Sequence, residues 1–258
     1  MGKIFSLFLT AGIIALGVYF SGLFTGKSVP QNLSGLEIPH IRSNDVIIPH
    51  SAYTLSYNEE HEQANWVAYE LTREELADNF SRNKMRFKPD PDVPTGSAED
   101  DDYRNSGYDR GHLAPAGDMN FSEQALRESF YFSNISPQQK RFNSGIWKKL
   151  EDLVRDWAQT YGSVFIVTGP VLEKNLTYIG RNRVSVPRYF YKAVLINNGK
   201  QPPGAVAFVI ENISSKAPLR NYMITIDSLE SLISLDLFPK LDDSVENRIE
   251  SKISLNYW

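Results

Sequence analysis

Tyr108-Asp-Arg-Gly-His-Leu-Ala-Pro-Ala-Gly-Asp-Met119 is the stretch on which the reading of this chain turns. Within four residues, Asp109-Arg110-Gly111-His112, it gathers a carboxylate, a guanidinium and an imidazole, with a glycine that allows a tight backbone turn between them. Hydrolysis of a phosphodiester calls for that combination, because water must give up a proton to a base while positive charge offsets the phosphate. The other histidines, His40, His50 and His61, sit in stretches without such company.

Outward from this run the periodicity changes. Ser122 is a suitable N-cap for a helix running to Phe132, with Ala125, Leu126 and Ser129 on one face. A second helix is expected to begin near Asn143 or Ser144, since Ile146, Trp147, Leu150, Leu153, Val154 and Trp157 recur at helical spacing. Three apolar runs, Val164–Thr168, Arg188–Leu195 and Ala205–Ile210, read as strands. Upstream, Tyr53–Tyr57 and Trp66–Leu71 read as a hairpin around Asn58-Glu-Glu-His-Glu-Gln63, with His61 a solvated loop residue. Strands and helices without regular βαβ alternation point to an α+β fold.

Downstream of the opening motif come Ser133-Asn-Ile-Ser-Pro-Gln138, then Phe142-Asn-Ser-Gly-Ile-Trp147, then Leu150-Glu151. In this order and spacing, from about Tyr53 to Trp258, the chain resembles the DNA/RNA non-specific endonuclease family, which includes nucleases of the Serratia and endonuclease G types. The resemblance implies a central, mostly antiparallel sheet flanked by helices, with a ββα-metal (His-Me finger) unit in which the histidine ends a strand and the asparagine sits on the helix. It implies an endonuclease hydrolysing DNA and RNA with the help of Mg²⁺, for which Mn²⁺ can substitute.

Each residue's role follows from that resemblance and its own chemistry. His112 is the expected general base, since an imidazole with a pKa near about 6.5 is largely neutral at pH 7–8. Asn143 is the expected metal ligand, a modest donor suited to an ion that keeps most of its waters; it is also a favoured helix N-cap residue. Glu151, eight residues further on, lies on the same helix side and could hold metal-bound water. Arg110 is expected to grip the scissile phosphate through paired hydrogen bonds, Asp109 to position its neighbours, and Asn134 to orient the site. Asn134 also forms a glycosylation sequon with Ser136, discounted because a buried site residue cannot carry a glycan. A second phosphate-binding arginine lies within Ser81-Arg-Asn-Lys-Met-Arg-Phe87, with Arg82 preferred over Arg86.

Composition sets the frame. The formal charge of −4 excludes a strongly basic nucleic-acid-coating protein. Lys140, Arg141, Lys148, Lys149, Arg181, Arg183 and Arg188 could supply local positive charge. The absence of cysteine removes disulfides, thiolate metal sites and cysteine nucleophiles together. The acidic run Glu99-Asp-Asp-Asp102 reads as a solvated loop, because consecutive side chains diverge.

Residues 4–26 carry no charge and are long enough to span a bilayer. Phe20 and Phe24 stand where a cleavable signal needs a small residue, so an uncleaved anchor is preferred over a secretion signal. The expected organisation is therefore an anchor or signal at 1–27, a proline-containing tether at 28–50 and the catalytic domain at 51–258. Export to the periplasmic side of a bacterial inner membrane is the first expectation, with secretion or the mitochondrial intermembrane space as alternatives. Oligomeric state is left open, a homodimer included. Two competing functions are a phosphodiesterase acting on small nucleotides and a membrane-tethered protein for nucleic-acid binding or uptake.

Overall fold

A computed structural model describes residues 35–77 and 79–253. The strands are β1 (Val46–Pro49), β2 (Thr54–Asn58), β3 (Gln63–Thr72), β4 (Asp109–His112), β5 (Ile135–Gln138), β6 (Ser163–Pro170), β7 (Tyr178–Ile179), β8 (Val184–Ser185), β9 (Tyr189–Ile196), β10 (Gly204–Glu211) and β11 (Met223–Ile224). The helices are α1 (Asp100–Tyr103), α2 (Glu123–Ser129), α3 (Lys148–Tyr161), α4 (Ile226–Ile233) and α5 (Asp243–Glu250). A seven-stranded sheet runs in the order β1-β2-β3-β6-β9-β10-β11, and every neighbouring pair is antiparallel. The α+β expectation holds.

The inner strands are apolar almost without interruption because both faces are covered. Val164, Ile166, Phe190, Val194, Ile196, Val206 and Phe208 pack with Trp147, Leu150, Val154 and Trp157. These four residues form the buried stripe expected of the long helix, and each contributes roughly 1.5–3 kcal/mol by leaving water. The helix α3 stops at Gly162, whose φ of 96° suits glycine and whose N–H donates to the Ala158 carbonyl at 2.9 Å. Ser122 caps α2 by accepting from the Ala125 amide at 3.4 Å.

Several expectations require correction. The stretch 28–50 is not tether to its end: β1 pairs with β2 through Val46↔Tyr57 to Pro49↔Thr54, and Ile38 is buried. Prolines were the misleading signal, since Pro49 is tolerated on an edge strand. The acidic run is a short helix with three destinations rather than a solvated loop. Asp100 pairs with Arg110 at 2.8 Å, Asp101 pairs with Arg104 at 2.6 Å, and buried Asp102 accepts from both nitrogens of Asn182. Divergent side chains, taken as evidence for solvation, are what let each acid reach its own partner. His61 is half-buried, with Nδ1 2.8 Å from the Ser185 hydroxyl, and burial lowers its pKa. His50 has company after all, its Nε2 lying 3.0 Å from the buried Asp90 carboxylate. Residues 4–26 lie outside the described residues, and among the described residues no helix is long and apolar enough to cross a membrane.

Candidate active site

A separate two-stranded sheet carries the Asp-Arg-Gly-His motif. β4 pairs with β5 in the register Asp109↔Gln138, Arg110↔Pro137, Gly111↔Ser136 and His112↔Ile135. Gly111 is extended here, so the expected tight turn is absent. Its missing side chain instead makes room for Gln138, whose Cδ would lie 2.1 Å from a Cβ at this position. The chain then passes through a π-helical run, Phe142–Trp147, kinked at Gly145, and enters α3. Strand, strand and helix thus form the ββα unit, with His112 ending the first strand and Asn143 in the first helical turn.

The unit opens onto a cleft of about 310 Å³ lined by Arg82, Arg110, His112, Pro115, Ala116, Gly117, Asn143, Ser144, Lys148, Glu151 and Arg155. Five of the six expected site residues meet there: His112, Arg110, Arg82, Asn143 and Glu151. Both arginines are exposed, and of the two Arg82 lines the cleft while Arg86 does not.

Asn134 is not on the wall. It is fully buried, its Oδ1 accepts from the Ala114 amide at 2.9 Å, and its Nδ2 donates to the carbonyls of Ala114 and Ser129 at 2.9 and 2.8 Å. It clamps the chain two residues beyond His112 and does not line the cleft.

His112 packs between aromatic rings, edge-on to Phe130 at 4.8 Å and tilted to Phe87 at 5.5 Å. Its Nε2 is shut off from solvent and has no hydrogen-bond partner. Burial, with the Arg82 guanidinium adding to it, pushes the imidazole pKa down to about 3. The ring is therefore neutral at physiological pH, and the burial that keeps it neutral also makes it a weaker base than a free imidazole. Arg110 is held by Asp100 and lies over the rings of Phe87 and Tyr103, at 5.7 and 5.8 Å. Its Nε is buried and unpaired.

Asn143 does not cap a helix through its side chain; its Nδ2 donates to Asp109 Oδ2 at 3.1 Å. A carboxylate only accepts, so this contact fixes the amide with Oδ1 as the free donor atom for a cation. The oxygen-only donors of Asn143 and Glu151 fit a hard divalent ion such as Mg²⁺.

A charged group not expected from the sequence runs from the cleft wall, where Lys148 and Arg155 stand, into the interior. Asp118, almost fully buried, accepts from the Tyr69 hydroxyl at 2.8 Å and from Arg155 Nη1 at 2.6 Å. Arg155 also reaches Asp152, which Lys148 holds at 2.7 Å. Burial raises the pKa of Glu151, and Lys192 is the strongest of the charges that pull it back. Helical spacing was a usable signal for Arg155, one turn beyond Glu151. Asp118 gave no such signal.

Comparison with known proteins agrees with this geometry. Residues 38–244 match the DNA/RNA non-specific endonuclease family. The chain is 32 % identical over 249 residues to the zebrafish protein "Nuclease EXOG, mitochondrial", covering 90 % of this chain and 72 % of that one. It is 34 % identical to the human protein of the same name, covering 76 % of this chain but only 58 % of the human one. With "Nuclease C1" of Cunninghamella echinulata var. echinulata it shares 36 % identity over 75 % of this chain and 82 % of that one. Among solved structures it is similar to a chain from a crystal structure of the EndoG/EndoGI complex. There the TM-score is 0.74 and the identity 33 %, over 80 % of this chain and 90 % of that one.

Proposed function

Since the chain belongs to the DNA/RNA non-specific endonuclease family, we propose that it hydrolyses phosphodiester bonds within DNA and RNA. The observation that carries this reading is the convergence of His112, Arg110, Arg82, Asn143 and Glu151, from distant parts of the sequence, on one cleft. His112 takes a proton from the attacking water as the water oxygen bonds to phosphorus. Because the ring is neutral in the resting protein, no prior deprotonation is needed. Arg110 and Arg82 bind the non-bridging oxygens and offset the growing negative charge as the phosphorus–oxygen bond to the leaving group breaks. Asn143, steered by Asp109, would hold Mg²⁺ or Mn²⁺, and Glu151 would orient water around it. Bound there, the ion would supply further charge compensation at the phosphate and leaving oxygen.

Sequence preference should be slight, since the cleft offers arginines for phosphate and no element for reading bases. An enzyme with this substrate range must also be kept from its own cell's genome. Residues 4–26 support export and tethering, with the catalytic domain beyond the cytosol. The mitochondrial names of several relatives make that compartment the eukaryotic counterpart. Protease accessibility after fractionation tests the placement, and a catalytic domain recovered in the soluble cytoplasm with residues 1–27 attached would refute it.

The activity itself is tested with supercoiled plasmid and an RNA of similar length. Both should be cut with Mg²⁺ or Mn²⁺ and neither in EDTA. Equal cleavage in EDTA sinks the metal-dependent reading.

A further inference from the structure

The last two helices bring three acids to one place. Asp227 and Glu230 lie three residues apart on α4 and so share a face, and Glu250 is the final residue of α5. One carboxylate oxygen of each lies within 4.8 Å of those of the other two. Acids crowd in this way on many exposed surfaces, where water separates their charges. Here water is kept out of part of the group: Glu250 is only 6 % exposed, and its Oε1 is shut off from solvent with no hydrogen-bond partner. No lysine, arginine or histidine of the described residues is ion-paired with any of the three.

The helix geometry does not relieve Glu250. A helix C-terminus carries partial negative charge, so a carboxylate in the last turn is repelled where a cation would be held. Arg248, in the same turn, is exposed and is not ion-paired with it. Asp227 is better placed, in the first turn of α4, and Glu230 Oε1 accepts from the Leu237 amide at 2.6 Å. Neither arrangement brings positive charge to Glu250. A buried carboxylate facing two others is costly unless a cation joins them.

We propose that Asp227, Glu230 and Glu250 hold a calcium ion, at a second cation site that clasps α4 to α5. All three donors are oxygens, as a hard cation requires. Two oxygens on one ion stand at most twice the metal–oxygen distance apart, about 5 Å for Ca²⁺ and about 4 Å for Mg²⁺. Oxygens within 4.8 Å of one another can therefore share one Ca²⁺. Three carboxylates also suit Ca²⁺, because Mg²⁺ keeps several waters and is usually held by one or two. None of the three residues lines the catalytic cleft, so the site stands apart from the nuclease reading. Ile226, Leu229 and Ile249 are buried on the same two helices. The ion would thus fasten a packed corner of the fold and act on stability.

Thermal unfolding of the full-length, metal-stripped chain, followed by circular dichroism as Ca²⁺ is added, tests this. At about a hundred times the concentration that half-saturates the effect, the midpoint should have risen by about 5 °C or more. The rise should persist in Asn143→Ala, which lacks the catalytic-site ligand, and disappear in both Glu250→Gln and Asp227→Asn. Mg²⁺ at the same concentration should give less than half of it. No rise with Ca²⁺ overturns the proposal, as does a rise that both carboxylate variants keep or that Asn143→Ala loses. An equal rise with Mg²⁺ overturns the assignment to calcium. Should Glu250→Gln fail to fold, Asp227→Asn, whose side chain is exposed, decides alone. The readout is independent of whether nucleic acid is cut.

Discussion

Asn134 and Asn143 belong to the same small unit and carry the same amide, yet they are used in opposite ways. Asn134 is fully buried and spends its oxygen and both hydrogens on backbone groups of Ala114 and Ser129. Asn143 lines the cleft and its side-chain amide makes one hydrogen bond, from Nδ2 to Asp109. Saturation marks a group that holds the protein together; an open valence marks one available to something else. His112 Nε2 and Arg110 Nε, both buried and unpaired, fall on the same side as Asn143. Carrying unpaired polar atoms in a folded protein costs stability, so the two that border this cleft call for a ligand that would satisfy them.

The sharpest test of this division is the pair of substitutions on its open side. His112→Ala should lower the rate of plasmid cleavage by about 10²–10⁴-fold while nucleic-acid binding in a gel-shift assay persists. Asn143→Ala should lose activity on the same scale and, in addition, require more Mg²⁺ for half-maximal rate. On the closed side, Asn134→Ala leaves three buried backbone groups without partners and should cost on the order of 3 kcal/mol in urea unfolding. Activity should then fall in step with the folded fraction; a stable but inactive Asn134→Ala protein would move this residue to the open side.

A smaller effect concerns pH. The imidazole of His112 is held down to about 3, against about 6.5 when unfolded. The unfolded chain therefore binds the proton first, and this contribution to stability is complete above pH 6.5 and lost as pH falls towards 3. The loss is at most about 1.4 kcal/mol per pH unit, and His112→Ala should flatten the slope of urea stability between pH 7 and 5. The least effect is expected from Asp152→Ala, which breaks an exposed pair with Lys148 and a partly buried one with Arg155 that leaves Arg155 still held by Asp118. Stability should change by about 0.5 kcal/mol or less, and a large loss of cleavage would show that Asp152 belongs to the site.

The sequence made the ββα unit legible because its chemistry lies in short, ordered motifs whose spacing survives folding. Strands β6, β9 and β10 were legible for a different reason: their apolar runs are long and free of breakers. What escaped was local context. Gly111 looked like a turn residue because glycine permits turns, whereas here its small size admits Gln138. The helix start expected near Asn143 falls inside the π-helical run that precedes α3, and nothing announced that run or its kink at Gly145. Asp118 and Arg155 are far apart in sequence and meet only when α3 docks.

The position of β1 at the rim of the sheet has a practical consequence. Trimming the chain at residue 51 would remove β1 and leave β2 paired only to β3, with its other side's backbone groups unpaired. Such a rim is a template for strand addition by another molecule, and the truncated protein should self-associate into sheet-rich aggregates. β1 closes the sheet with a four-residue rim ending in Pro49, which has no N–H to offer, so a catalytic fragment should begin upstream of residue 46.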